Sequence, residues 1–173
     1  MNCVTIRLDI HPRPKKGGKG KGEVFKEAAD GLSYWDALCH ARMLAEAHLK
    51  RKRWEPVPRH VPVLVTMDMV FARYTKRRTW CPKSVWESGE RFLRPVRPDV
   101  DNCAGFVLDA LQAPKGSRPY AYYDDGQVVP GSWRRWVAAE GERAHILVRM
   151  ERLDMFGRTQ LEQPPIVESR RSA

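Results

Sequence analysis

Apolar side chains alternate with other residues along one run of the chain, and this alternation restricts the fold more than any other sequence feature. Valine or methionine occupies every second position from Val61 to Met69, and Thr66 and Asp68 fall between them. Because successive side chains of a strand point to opposite faces, the run predicts a strand that extends to Phe71 and buries one face. Such a strand needs neighbouring strands and a cover for its apolar face, so we expect a sheet with helices packed on it.

A second alternating run and a helix precede this strand. The residues from Val4 to Ile10 alternate in the same way and predict the first strand. From Tyr34 to Leu49 apolar residues recur every three or four positions, which indicates an amphipathic helix with an alanine-rich face. Ser33 is placed to cap the start of this helix, and Pro56 and Pro58 follow its end. The first half of the chain therefore predicts a β-α-β unit.

The second half of the chain predicts a shorter helix and two further strands. The helix begins near Asp101, one strand covers Gln127 to Val137 with a break at Pro130-Gly131, and the last strand covers Ala144 to Met150. The stretch from Arg73 to Val96 has no period, so we expect a long loop there.

The order β-α-β-α-β-β predicts an α+β fold, a single domain in which two helices pack on a small mixed β-sheet. This domain is expected to span residues 1–154, because the polar residues 155–173 favour a disordered tail. The longest uncharged apolar stretch, Val61 to Met67, is far shorter than the ~20 residues that cross a bilayer, so no membrane partner is expected. Four scattered cysteines without a CxxC pair favour free thiols in a reducing cytoplasm over a zinc site.

The chain is strongly basic, with 31 lysines and arginines against 21 acidic residues and a formal net charge of +10. The excess lies in three clumps, at residues 11–26, 50–53 and 73–83. Each clump alone is also consistent with a solvated face, but the three together favour a nucleic-acid partner whose phosphates they neutralise. The predicted phosphate contacts are Arg13, Lys15, Lys16, Lys19, Lys21, Arg73, Lys76, Arg77, Arg78 and Arg97.

Against this basic background the acidic residues of two short segments stand out, Arg97 to Asn102 and Asp124-Asp125. Pro98 favours an extended chain, and residues two apart on an extended strand share a face, so Asp99 and Asp101 are expected to present their carboxylates to one point. Asp101 or Asn102 is then expected to cap the following helix.

Two interpretations of these acids remain open from the residues alone. Converging carboxylates repel one another unless a cation lies between them, and an all-oxygen ligand set favours Mg²⁺ or Mn²⁺ over Zn²⁺. Such a site on a basic surface is what metal-assisted phosphodiester hydrolysis requires. The alternative is structural, with Asp99 in a turn, Asp101 as a helix cap and Asp124-Asp125-Gly126 as a hairpin turn.

The three runs Arg97 to Asn102, Phe106 to Leu111 and Asp124 to Val128 together resemble the RusA family of Holliday junction resolvases. The pattern of that family reads approximately PDxDNxxKxxxDAL, followed after a short gap by DDxQV. The resemblance implies a RusA-like fold and a Mg²⁺-dependent endonuclease, for which Mn²⁺ is an alternative ion. It also implies a homodimer that makes paired nicks in four-way DNA junctions during recombination and repair, in the cytoplasm of a bacterial or phage-type host.

The resemblance also implies roles for individual residues. By position, Asp99, Asp101 and Asp125 would be the catalytic metal ligands. Asp124 would lie beside the site, Asp109 would be an accessory or helix-packing residue, and Asn102 would orient the turn into the helix.

Gly105 departs from the family pattern, because it stands where the pattern has a lysine. A lysine four residues after Asp101 would lie on the same side of the helix and reach a scissile phosphate. Lys115 or Arg118, in a longer segment before Asp124, would be the replacement cation. The alternative function is a branched-DNA-binding protein with weak or lost cleavage, and a nuclease for flaps or other branched DNA shares the same site.

Overall fold

One mixed sheet of five strands organises the chain. The structure is a computed structural model and describes residues 2–13, 32–96, 98–112, 116–118 and 120–159. The strands are β1 (Cys3–Leu8), β2 (Val63–Phe71), β3 (Phe92–Leu93), β4 (Val128–Val137) and β5 (His145–Arg152). The helices are α1 (Tyr34–Arg51), α2 (Lys83–Glu87) and α3 (Val100–Leu111). The strand order is β1-β5-β2-β4-β3, with β2 and β4 parallel and all other neighbours antiparallel. The predicted α+β fold with a mixed sheet is confirmed.

The core lies between the sheet and the helices α1 and α3. On β2 the alternating side chains Val63, Val65, Met67 and Met69 are all 0% exposed. Ala41 of α1 is also fully buried in the same cluster, which lets the helix backbone lie close to the sheet. Burying each of the larger side chains contributes about 1.5–3 kcal/mol. The period-two pattern thus fixes which face of the sheet the helices cover.

The start of α1 follows the sequence prediction. The Ser33 hydroxyl accepts a hydrogen bond from the Asp36 backbone N–H at 3.2 Å and donates to the Asp36 carboxylate at 2.5 Å. At the other end Lys52 is the C-cap, and its N–H donates to the His48 carbonyl. The helix therefore begins and ends where the cap and the prolines predicted.

The stretch from Arg73 to Val96, expected to be an irregular loop, contains α2 and β3. These elements have five and two residues, which is too short to show a period. They are held by Arg73, whose guanidinium donates to the carbonyls of Trp86, Glu90 and Ala138 at 2.5, 3.2 and 3.1 Å. The same guanidinium lies 4.3 Å from the centre of the Trp86 ring. A long-range contact of this kind leaves no periodic signal in the sequence.

Strand β4 continues through Pro130-Gly131, where the sequence predicted a break. The pairing with β2 shifts register between Val65 and Met67, so the extra residue of β4 is accommodated as a bulge. A Cβ atom on Gly131 would lie 2.5 Å from the Thr66 hydroxyl oxygen. Glycine is therefore required for the close approach of the two strands.

The described part of the chain extends five residues past the predicted domain boundary at residue 154. Asp154 accepts backbone hydrogen bonds from Phe156 and Arg158, and Leu153 bridges to Thr159. The remaining residues of the predicted tail, 160–173, lie outside the described part. Among the helices of the described residues, none has the length and apolar character needed to cross a membrane.

Candidate active site

The two acids Asp99 and Asp101 lie at the start of α3, not on a strand. The helix begins at Val100, Asp99 is its N-cap with extended backbone, and Asp101 is in the first turn. The predicted cap at Asp101 or Asn102 is therefore wrong, and strand alternation is not what relates the two acids. The Asp99 side chain makes no capping hydrogen bond. Both side chains are exposed, and within the described residues neither carboxylate has a hydrogen bond or an ion pair.

Their surroundings combine a buried thiol with two arginines. Burial raises the pKa of the Cys103 thiol to about 12, while Arg135 and Arg94 oppose this rise and the carboxylates of Asp101 and Asp99 add to it. All four charged groups are therefore close enough to Cys103 to act on it. The first turn of a helix also carries the positive end of the helix dipole. The two carboxylates thus lie in a locally positive field.

Arg135 fixes the chain segment that leads into α3. Its Nη1 donates to the carbonyls of Val96, at 2.7 Å, and of Pro98. The neighbouring backbone is tied as well, since the Arg94 N–H donates to the Arg135 carbonyl at 2.9 Å. Arg135 therefore positions Asp99 from β4. Sequence reasoning missed this role, because the contact links residues distant in the chain.

Asp125 lies at the opposite end of α3. Its Oδ1 accepts a hydrogen bond from Nε2 of Gln112, the C-cap of that helix, at 2.5 Å. Burial raises the pKa of the Tyr122 hydroxyl well above its ordinary value, and the carboxylates of Asp125 and Asp109 add to the rise. Asp125 and Asp109 therefore both lie near the Tyr122 hydroxyl, which donates to the Leu108 carbonyl toward the end of α3.

The helix and the sheet both show that Asp125 is far from the acidic pair Asp99 and Asp101. The eleven steps from Asp101 to Gln112 rise about 16 Å along a helix. In the sheet, Val128 beside the Asp125 turn pairs with the first residue of β2, whereas Arg135 pairs with Met69 near its end. Within the described residues no three His, Cys, Asp or Glu side chains are grouped so that they could hold a metal ion. One protomer thus brings Asp99 and Asp101 to one end of α3 and Asp125 to the other.

Gln127 holds the turn that carries Asp124 and Asp125. The turn is a single 3₁₀ helix over Asp125–Gln127, capped by the Asp124 side chain, which accepts from Gly126 N–H at 2.7 Å. The Gln127 side chain accepts from the N–H groups of Tyr123 and Asp124, and donates to the carbonyls of Pro58 and Val61.

Only 9% of Gln127 is exposed, so these four bonds replace water. Asp followed three residues later by Gln is a capping-box pattern. That spacing could have identified Gln127 as a residue that fixes the acidic turn.

The accessory residues divide between the two ends of α3. Asn102 is exposed in the first turn beside Asp101. The Asp109 carbonyl accepts from Arg42 Nε at 3.1 Å, which ties α3 to α1. Gly105 is half-buried one turn beyond Asp101. Arg118 is exposed in the segment that follows the end of α3, and Lys115 lies outside the described residues.

Two of the arginines predicted to contact DNA are built into the fold instead. Arg13 is 7% exposed and donates to the Leu32 carbonyl at 2.6 Å, and Arg73 holds the segment with α2 and β3. Lys76, Arg77 and Arg78 are exposed, although Arg77 also donates to the Cys81 carbonyl and Arg78 lies over the Tyr74 ring, and their contact with DNA stays a prediction. The other predicted contacts lie outside the described residues, namely Lys15, Lys16, Lys19, Lys21 and Arg97.

The acids at the start of α3 fit a hard divalent cation. Mg²⁺ is commonly bound through one or two carboxylates, with waters and substrate phosphate oxygens completing its coordination. Asp99 and Asp101 provide exposed oxygen ligands with no competing hydrogen bond or ion pair in the described part of the chain. The nearby Cys103 thiol is buried in the core, so it does not add a soft ligand.

Comparison with known proteins supplies the family. A family model described as "Endodeoxyribonuclease RusA" matches residues 10–149, which include α1, α3, both acidic sites and most of the sheet. A comparison with curated proteins gives no match. Because the family model covers most of the 173 residues, the chain belongs to the RusA family of endodeoxyribonucleases.

Proposed function

We propose that this endodeoxyribonuclease resolves four-way DNA junctions in recombination and repair, with Mg²⁺ as its cofactor. The observation that carries the proposal is the pair of exposed carboxylates, Asp99 and Asp101, without hydrogen bonds or ion pairs in the described structure, at the start of α3. Because no described group uses either carboxylate, the oxygens of both are available to a divalent cation.

Each group at the start of α3 has a distinct task in this proposal. Asp99 and Asp101 hold the divalent ion, and Arg135 keeps Asp99 in place through the segment before the helix. The bound ion supplies the Lewis-acid chemistry of phosphodiester hydrolysis. Arg94 and Arg135 contribute positive charge that attracts the DNA phosphate toward the two carboxylates.

The separation of Asp125 from the other acids supports a homodimer. If Asp125 is a ligand of the same ion, it has to approach the start of α3 from a second copy of the chain, because in its own chain it is hydrogen-bonded to Gln112, which lies about 16 Å along α3 from Asp101. A two-fold dimer would then contain two equivalent sites. Two sites related by symmetry suit a substrate that needs two symmetric cuts.

Gly105 favours a second candidate function, a branched-DNA-binding protein with weak or lost cleavage. This glycine removes the cation that the family pattern places one turn from Asp101. Arg118 is exposed in the segment between α3 and the acidic turn, and in this proposal it is the candidate replacement cation. The two candidates differ in whether the wild-type chain cuts.

A labelled four-way junction tests both candidates. Purified protein is incubated with the junction in Mg²⁺, in Mn²⁺ and in EDTA, and the products are sized on a denaturing gel. We expect paired nicks with either metal, none in EDTA, and none from Asp99→Asn, which keeps the side-chain shape but removes the charge. Asp9→Asn removes an exposed acid elsewhere and should cut normally. Junction binding without cleavage in any metal would support the binding-protein alternative.

The salt dependence of binding tests the basic surface. Each phosphate contact in duplex DNA contributes about −0.9 to the slope of log affinity against log salt concentration. Lys76→Gln should remove one phosphate contact and so reduce the magnitude of that slope by about 0.9. Replacing Lys15, Lys16, Lys19 and Lys21 together should flatten it further. If the quadruple variant keeps the wild-type slope, those four lysines do not contact DNA.

A further inference from the structure

A pocket of about 600 Å³ lies beside the turn that carries Asp124 and Asp125. One wall is formed by the segment from Arg59 to Pro62, and the other by Tyr123 and the acidic turn. The buried Gln127 side chain joins the walls through its four hydrogen bonds, so the pocket is built by the fold. Its size lies in the range of pockets that hold small organic groups.

The pocket presents an aromatic ring and a cation together. Tyr123 is 45% exposed, and the Arg59 guanidinium lies 5.1 Å from the centre of its ring. An exposed aromatic ring next to an arginine suits the base and the phosphate of a nucleotide, because the ring stacks on the base and the guanidinium binds the phosphate.

His60 provides an independent observation at the same wall. It has a φ of +68° and is the third residue of a four-residue turn closed by the Val61 N–H and the Pro58 carbonyl. This position favours glycine, so a histidine there is held in a strained conformation. The strain is explained if the exposed imidazole is used for binding, next to Arg59.

We propose that this pocket is a subsite for one unstacked nucleotide of a DNA strand. The base stacks on Tyr123 in place of the Arg59 guanidinium, which lies over that ring in the free protein and turns to bind the phosphate together with His60, on the wall away from the Asp124 carboxylate. The subsite deepens the proposed function and rests on it, since branch points in DNA supply bases that are not fully stacked. Because Asp125 follows Asp124 directly, a nucleotide bound in the pocket would fix the DNA strand relative to Asp125.

Binding measurements with a four-way junction test the subsite. All proteins carry Asp101→Asn and are studied in EDTA, so that cleavage does not interfere, and affinity is measured by fluorescence anisotropy at several salt concentrations. Tyr123→Ala should weaken binding about tenfold with little change in salt slope, whereas Tyr123→Phe should bind like the parent. Arg59→Gln should reduce the magnitude of the salt slope by about 0.7, the value for one contact in single-stranded DNA. Trp35→Ala, which removes another exposed aromatic ring, should leave binding unchanged.

His60→Gly separates binding from folding. Because glycine relieves the strained backbone, the unfolding midpoint of the variant should not fall. The affinity of the variant for the junction should fall, because the imidazole is lost. If Tyr123→Ala and Arg59→Gln fold and bind like the parent while the wild type cuts junctions, the subsite is wrong and the proposed function stands. If binding depends on both residues but the wild type never cuts, the nuclease proposal is wrong and the subsite stands.

Discussion

The two ends of α3 carry acids of the same type but hold them in different ways. At the start of the helix, Asp99 and Asp101 are placed by the backbone, and their carboxylates have no side-chain partner in the described structure. At the end, Asp125 is bonded to Gln112, and its turn is fixed by the buried Gln127. The carboxylates at the first end are available to a cation, whereas Asp125 at the second end belongs to a surface turn that is fixed by hydrogen bonds. In the proposed homodimer, the complete site would combine both ends of α3, supplied by different copies of the chain.

A mixed dimer gives the largest expected effect. Neither Asp99→Asn nor Asp125→Asn should cut alone, because each loses a ligand from both sites of its dimer. If a site combines Asp99 of one copy with Asp125 of the other, co-expressed variants will form mixed dimers with one intact site and one doubly damaged site. These should nick one strand of a junction, which a gel with two differently labelled strands detects. Persistent inactivity of mixed dimers that still bind junctions would show that each site lies within one copy.

Gly105→Lys tests the missing charge at the start of α3. A lysine there lies one turn from Asp101 and can stabilise negative charge that develops on the phosphate. One such contact is typically worth about a hundredfold in rate. Single-turnover cleavage by Gly105→Lys should rise accordingly, whereas Gly105→Ala, which gives the same gain in helix propensity without the charge, should not change the rate. A large loss in Arg118→Ala or Lys115→Ala, with no gain in Gly105→Lys, would instead assign the cation to the sequence segment between Leu111 and Asp124.

Gln127→Ala tests how the acidic turn is held. Removing the side chain leaves buried carbonyl and N–H groups of two segments without partners, so the free energy of unfolding should fall by about 2 kcal/mol. Gln112→Ala removes only an exposed hydrogen bond to Asp125 and should cost about 0.5 kcal/mol or less. Urea denaturation of both variants measures the difference. Equal losses would contradict the idea that Gln127 is the anchor of the turn.

The sequence predicted the parts of the fold that depend on local periodicity. Strand β2 and helix α1 could be predicted because their apolar side chains repeat over nine and eighteen residues, and Ser33 marks the start of α1. The short elements α2 and β3 could not, since they depend on Arg73 reaching carbonyls far along the chain. The parallel pairing of β2 with β4 is also a long-range property that no local pattern encodes.

The acidic residues illustrate the same limit at the candidate site. Their identities were apparent from the motif, and their roles as ligands remain predictions. The reason given for the closeness of Asp99 and Asp101 was wrong, because a helix and not a strand follows Pro98. The separation of Asp125 from Asp99 and Asp101 depends on the length of α3 and on which end of this helix contacts the acidic turn. Of the two residues that position the acids, Arg135 and Gln127, only Gln127 could be identified from the sequence, by its capping-box spacing from Asp124.

The smallest expected effect concerns the role of Asp99 as an N-cap. Ser33 caps α1 with a real side-chain hydrogen bond, so Ser33→Ala should cost about 1 kcal/mol of stability. Asp99 occupies the same position of α3 but makes no such bond, so Asp99→Ala should lose only its interaction with the helix dipole, about 0.5 kcal/mol or less. Thermal unfolding at two salt concentrations separates these terms, because only the dipole interaction is screened. A loss at Asp99 as large as that at Ser33 would mean that the acid serves the helix. A small loss together with abolished cleavage would mean that it is there for the chemistry.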